Sequence, residues 1–378
     1  MAISFRKVRI SDETFEAAGV WDVDGDGVLD IISGAFWYKG PDFKIKREIA
    51  MPSRHAEYYD DFSTIPCDLD GTGRKGIITG GWWGANLRFR ACPADPMKQP
   101  WTERILVNTG APIETTRAWD IDGDGVDEIF PNCPPSREVA IYKPVFGDGK
   151  EKLGTLQKHV IFTFPEGQTQ GHGFGVGDIA GNGRKDILLA KGWLECPADP
   201  WKGEWKWHPE FNFGSLCNPA IIVDINGDGL CEIIAGSAHR YGLDWWQQTK
   251  NADGSRTWTR HPIDPENSQY HDLHWVDIDG DGQCELVTGK RHRAHNGGDP
   301  GEWDDYGIYY FKWTGEGFSK QIIDWGRIFD NAKGTGIEFA IVDLRGTGRL
   351  DIVAPGKDGL TIFYNEGIAK LGQISTVK

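Results

Sequence analysis

Four stretches of this chain set oxygen-bearing side chains at relative positions 1, 3, 5 and 9. They are Asp22, Asp24, Asp26 and Asp30; Asp120, Asp122, Asp124 and Glu128; Asp224, Asn226, Asp228 and Glu232; and Asp277, Asp279, Asp281 and Glu285. Glycines at positions 4 and 6 permit the tight turn that brings these groups together. With a backbone carbonyl at position 7 they form the hard-oxygen shell, about six to eight atoms, that Ca²⁺ takes. Such a shell is saturated by protein. The expected role is therefore structural, with about four calcium ions fastening loops and no open position for a reaction.

The same loop recurs in degraded form at Asp68, Asp178 and Asp343, where Thr72, Gly76, Ala180, Arg345 and Thr347 replace ligands. All three degraded copies carry Arg at position 7, namely Arg74, Arg184 and Arg349. These guanidiniums are expected to offset the remaining carboxylates in place of an ion. Seven loops at a period of roughly 45 to 65 residues signal a propeller rather than a set of separate domains. Each loop is entered from a short strand and left through an apolar one. In the first unit these are 16–21 and 30–34, followed by an aromatic strand at 36–38 and a last strand at 43–49. The fourth strand recurs at 101–106, 156–162, 205–211 and 258–263. The last unit ends on its third strand, 360–365, and the N-terminal run FRKVRI at 5–10 is the expected fourth. The prediction is an all-β, seven-bladed β-propeller of four antiparallel strands per blade. One domain spans residues 1–378, its ring closed by the N-terminal strand, which would cover the open sheet edge.

These loops and their flanking strands resemble the FG-GAP (VCBS) repeat family of calcium-loop propellers, over the whole chain. Within that group, residues 269–289 (QYHDLHWVDIDGDGQCELVTG) are similar to the propeller part of the aldos-2-ulose dehydratases. Those enzymes eliminate water from a keto-sugar with the help of bound zinc. The resemblance implies a carbon–oxygen lyase acting on carbohydrate.

The loops also serve as a ruler. Because each loop closes one end of the first hairpin, the start of the first strand lies at the opposite mouth. Six residues before each first Asp stand Glu16, Phe62, Glu114, His172, Asn218, His271 and Ile337. Imidazole and carboxylate converging on one axis can hold a zinc-type ion and leave a position open. Glu114, His172 and His271 are the candidate ligands of a catalytic divalent metal. The second-strand ends add Trp82, Trp83, Arg88, Asn132, Trp193, His239 and the run Arg291–Asn296. In a β-elimination, His239 or His295 would take the acidified proton and Tyr59 would protonate the leaving oxygen. Arg88 and Arg291 would hold acidic or polyhydroxylated groups. Trp82, Trp83 and Trp193 would stack on a sugar ring, with Asn132 and Asn296 as further substrate contacts. His159, His208 and His261 fall in fourth strands and read as structural. Two rivals use the same residues: a glycoside hydrolase with a carboxylate pair from Glu16, Glu114, Asp61 and Glu338, or a sugar-binding lectin. A lectin would repeat one pocket per blade, and the seven mouth positions differ.

The net charge of −15 excludes a nucleic-acid partner, which needs a basic face; four divalent ions would offset about half of it. The expected partner is a carbohydrate, small or oligomeric. Apolar runs are strand-sized, so no membrane span is expected. Residues 1–10 lack the apolar core of a signal peptide. Seven cysteines without CxxC spacing read as reduced thiols, which favours the cytoplasm; a secreted or periplasmic location would require a leader removed upstream.

Overall fold

A computed structural model describes residues 3–368. It contains seven four-stranded antiparallel sheets and a separate two-stranded hairpin, Arg54–His55 with Tyr58–Tyr59. Six blades take their strands consecutively. Blade three, for example, runs Thr115–Trp119, Glu128–Asn132, Glu138–Val145 and Thr155–Thr163. The seventh sheet combines Ala340–Val342, Asp351–Ala354 and Leu360–Ile368 with Ile3–Ser11, paired in a register that sets Val8 opposite Ile362. The fold is the all-β seven-bladed propeller expected from the repeat. No α-helix occurs among the described residues, and no described helix is long and apolar enough to cross a membrane.

Burial follows position in the blade. Second strands such as Asp186–Leu189, Glu232–Gly236 and Asp351–Ala354 are buried along their whole length. Neighbouring blades cover both of their faces, so they read as continuous apolar runs and not as alternation. Fourth strands lie outside and alternate, as in Thr155–Thr163. Between blades the core is continuous; Leu188, Trp193, Ile233, Ile234 and Trp245 belong to one cluster spanning blades four and five.

The first Asp of every loop has a task that needs no ion. Asp22 accepts the backbone N–H groups of Gly25 (2.7 Å) and Gly27 (2.8 Å). Degraded loops do the same: Asp68 accepts from Thr72 and Gly73, Asp178 from Asn182 and Gly183, and Asp343 from Thr347 and Gly348. Gly25 and Gly27 sit at φ of 77° and 85°, the left-handed region closed to most side chains. This hydrogen-bonded turn accounts for an Asp persisting where other ligands have gone.

The position-7 arginines do not reach the loop carboxylates as expected. Arg184 Nε donates to the Cys196 carbonyl (2.7 Å), Arg349 Nε to Asn365 (3.0 Å), and Arg74 to Cys92 (3.5 Å). Position 7 lies on the outgoing limb of the turn, from which a long side chain runs along the third strand. Other arginines neutralise the acids instead. Arg345 binds Asp351 at 3.0 and 3.2 Å, and Arg104 grips Asp70 at 2.6 and 3.0 Å.

Loop four has no such cation on Asp186, which is fully buried and accepts the N–H groups of Ala180 and Cys196 at 2.8 Å. Burial pushes its carboxyl up to about 6, against which the two backbone bonds act. A carboxyl raised in the folded state binds its proton more tightly there than when unfolded. Stability is therefore gained as pH falls from about 6 toward 3.8 and lost as it rises through that window. Urea titrations between pH 4 and 7.5 should show this trend, with Asp186 contributing about 3 kcal/mol. Asp186→Asn should flatten it, and an unchanged slope in that variant would reject the assignment.

Candidate metal centre

The inner strands begin at one mouth of the ring, and backbone bonds between blades hold their starts in place. Leu216 N donates to the His172 carbonyl (3.0 Å), Asn218 N to His271 (2.7 Å), and Ile337 N to Glu16 (2.7 Å). The side chains six residues before the loops are thereby set around a common centre. Glu114, His172, His239 and His271 each direct one ligand atom into it, all within 4.8 Å of one another. Glu114 Oε1 lies 3.3 Å from His172 Nε2 and 3.4 Å from His271 Nε2. His239 Nε2 lies 3.0 Å from His172 Nε2. A tetrahedral ion with bonds of about 2.0–2.1 Å sets its ligands about 3.3–3.4 Å apart, close to these edges.

The second atoms of two rings define their protonation. His172 Nδ1 is 2.8 Å from the Leu216 carbonyl, which can only accept, so Nδ1 carries the hydrogen. His239 Nδ1 is 2.8 Å from Asp299 Oδ2 and likewise donates. Nε2 is then the nitrogen of each ring left for the cluster, and the two Nε2 atoms face each other. A carboxylate or carbonyl behind the ring is the usual outer partner of a metal-bound histidine. Burial lowers His239 to about 4, with Asp299 opposing, and it lowers His271 far below the ordinary value with help from the Arg291 charge. Both imidazoles are thus neutral and ligand-ready. Burial alone would raise Glu114, but His172 and His271 overcome it and hold the carboxyl well below its usual range. His271 Nδ1 and both amide atoms of the fully buried Asn218 carry no hydrogen bond.

One loop, residues 291–305, brings the remaining groups. Glu302 is fully buried and accepts the N–H groups of His295 and Asp299. Lys357 Nζ donates to the carbonyls of Arg293 (2.7 Å) and Ala294 (3.2 Å), and Lys290 reaches Gly301 and Asp304. So anchored, Asp299 bridges two imidazoles, at 2.8 Å from His239 and 2.9 Å from His295. A cavity of about 270 Å³ opens beside the cluster, lined by Tyr58, Phe62, Trp82, Trp83, Glu114, Arg291 and His295. Trp83 is 41% exposed and stacks on His55 with ring centres 4.3 Å apart.

Of the residues expected at the site, Glu114, His172, His271, His295, Arg291, Trp82 and Trp83 meet there. His239 joins the ligand cluster and is not a free-standing base. Arg291 faces the cavity with its guanidinium held by Glu16 at 2.9 and 3.3 Å. Others lie elsewhere. Tyr59 packs on Phe15 (4.2 Å), because strand alternation in its hairpin turns Tyr58 to the cavity instead. Trp193 is fully buried, stacked on His208 (4.0 Å) and bonded to Glu210. Arg88 pairs with Asp60 at 3.0 Å. Asn132 is buried among Gln170, Gly171 and Gly173. Asn296 accepts from Lys357 (3.3 Å). The sequence reading did not single out Asp299, Glu302 or Tyr58. An Asp four residues after a histidine in a Gly-Gly-Asp-Pro turn was the available signal for Asp299.

The Arg291–Glu16 pair is nearly completely buried. Removing one member strands the other charge in a dry site, at a cost of about 3–5 kcal/mol. Arg291→Met should lose that much in urea unfolding, and Glu16→Gln with Arg291→Met should recover part of it. A loss in the double variant equal to the sum of the losses in Arg291→Met and Glu16→Gln would show that the pair is not coupled.

Residues 224–288 match the FG-GAP-like repeat family model. The crystal structure of the V. cholerae biofilm matrix protein Bap1 is similar over 90% of this chain and 45% of that chain, at 17% identity and a TM-score of 0.34. The chain thus spans less than half the length of that structure. No curated protein matches. The repeat match at 224–288, the same turn in each of seven blades and the seven four-stranded sheets together make this chain a seven-bladed β-propeller of FG-GAP-like repeats.

Proposed function

We propose that the protein is a carbohydrate lyase that holds a zinc-type divalent ion on Glu114, His172, His239 and His271 and performs β-elimination on a keto-sugar or uronate. The observation carrying this reading is the pair of Nε2 atoms 3.0 Å apart, each in a ring whose Nδ1 donates to an outer acceptor. Nitrogens so placed can both direct a lone pair at one shared cation. A bound ion of this kind would supply Lewis-acid polarisation of a substrate carbonyl or carboxylate.

The surrounding residues suit the remaining tasks. His295 is half-exposed at the cavity with Nδ1 on Asp299, which leaves Nε2 to accept a proton from substrate. Burial raises the Tyr58 phenol and keeps it protonated, so this residue takes the acid's role first assigned to Tyr59. Trp82 and Trp83 offer apolar ring faces beside the charged groups, as sugar recognition requires. Keto-sugars are named because residues 269–289, which include His271, are similar to the aldos-2-ulose dehydratases. The hydrolase reading is weaker, because its carboxylates are already engaged. Asp61 binds Arg90 (2.7 Å) and Thr79 (2.6 Å), Glu16 binds Arg291, and Glu338 accepts from Thr64 N (2.7 Å).

Elemental analysis of purified protein should find about one transition-metal ion per chain. His172→Ala and His239→Ala should lose it, and His208→Ala should retain it. Asp299→Ala should weaken binding by about 10- to 100-fold. Incubation with keto-sugars and uronates should produce the ultraviolet absorbance of a conjugated enone. No transition metal, and no chromophore with any sugar after metal addition, would sink the proposal.

A further inference from the structure

At the opposite end of the inner strands, the four acidic loops differ in what stands across from them. In blade one Ile31 pairs with Tyr38, in blade three Ile129 with Tyr142, and in blade six Leu286 with Phe311. The next residue on each third strand is a lysine: Lys39, Lys143 or Lys312. Each ammonium lies among the loop carboxylates. Lys39 Nζ binds Asp24 and is 2.6 Å from Asp26. Lys143 Nζ is 2.6 Å from Asp122, 2.8 Å from Asp124 and 3.5 Å from Glu128. Lys312 Nζ binds Asp279 and is 2.8 Å from Asp281 and 3.5 Å from Glu285.

Blade five breaks the pattern in two places at once. Ile233 pairs with Trp246, so Gln247 takes the lysine's position, and the loop has Asn226 where the other three have Asp. Asn226 Nδ2 lies 3.2 Å from both Asp228 and Glu232, replacing charge neutralisation by amide hydrogen bonds. Lysine thus accompanies Asp at position 3 in three loops and is absent where position 3 is Asn. The resemblance to calcium-loop propellers implies Ca²⁺ in all four loops, and in three of them a lysine ammonium already sits among the carboxylates that could hold the ion.

We propose that loops one, three and six are closed by an internal lysine ammonium that takes the place of calcium, while loop five closes on the amide of Asn226 instead. An ammonium offers one charge and three donors, and it is tethered, so no ion need be captured from solution. Asp24 Oδ1, Glu128 Oε1 and Asp279 Oδ1 carry no hydrogen bond, so removing the lysine leaves an oxygen shell for calcium to fill.

The test is equilibrium dialysis of the full EDTA-stripped protein against radioactive Ca²⁺, with melting temperatures in EDTA and in millimolar calcium. Wild type should bind at most one ion, and Lys39→Met/Lys143→Met/Lys312→Met should gain up to three more. Lys143→Gln alone should melt roughly 2–4 °C lower in EDTA and be restored by calcium. Asp122→Asn/Lys143→Gln, which copies loop five, should melt like wild type in EDTA. Four ions bound by wild type, with the count unchanged by the lysine substitutions, would overturn the proposal. If the triple variant does not fold, the two blade-three variants decide: equal melting of Lys143→Gln and wild type in EDTA overturns it.

Discussion

One guanidinium on the propeller axis ties the ring together. Arg117, from the innermost strand of blade three, donates to the carbonyls of Asn218 in blade five (2.7 Å) and Ile337 in blade seven (3.0 Å). It also lies 3.3 Å from Asp272 in blade six. Glu338, 3.7 Å from the same guanidinium, accepts from Thr64 of blade two. Seven inner strands converging on an axis leave a channel of backbone and polar groups that water would otherwise enter. A planar cation with five donors can satisfy several of them from different directions. Because this network is buried, leaving any member unpaired would be costly.

The candidate metal centre rests on that plug. Glu114 and Arg117 belong to the same segment, and the carbonyls that Arg117 binds are those of Asn218 and Ile337, two of the mouth positions. The ligand side chains thus rise from strand starts whose backbone is held from below by the plug and sideways by bonds between blades. Asp299 and Glu302 complete the support from a loop pinned by buried lysines. Such outer contacts orient ligands before an ion arrives, which lowers the reorganisation needed to bind it.

Charge is handled differently at the two faces. At the mouth, three imidazoles surround one carboxylate, a donor set that suits a transition metal. At the loop face, clustered carboxylates meet Lys39, Lys143, Lys312, Arg345 and Arg104. The first Asp of each loop serves the turn itself, which explains why it survives in copies that have lost some of the other ligands.

Blade number, strand order and the identity of the mouth ring were legible in the sequence, because they depend on a local turn motif and its period. Counting six residues back from the loops found Glu114, His172 and His271. The same counting could not say that Trp193 packs inward on His208, that Tyr58 and not Tyr59 faces the cavity, or that position-7 arginines reach past the loop acids. Each of those depends on strand register and on which side chain the neighbouring blade covers. The sequence by itself determined the repeat and the places where the repeat breaks. Only the tertiary structure decided which broken positions share a centre. Imidazoles some 30 to 100 residues apart, from separate blades, meet when the ring brings its inner strands to one axis, and lysines meet loop acids only across a paired strand.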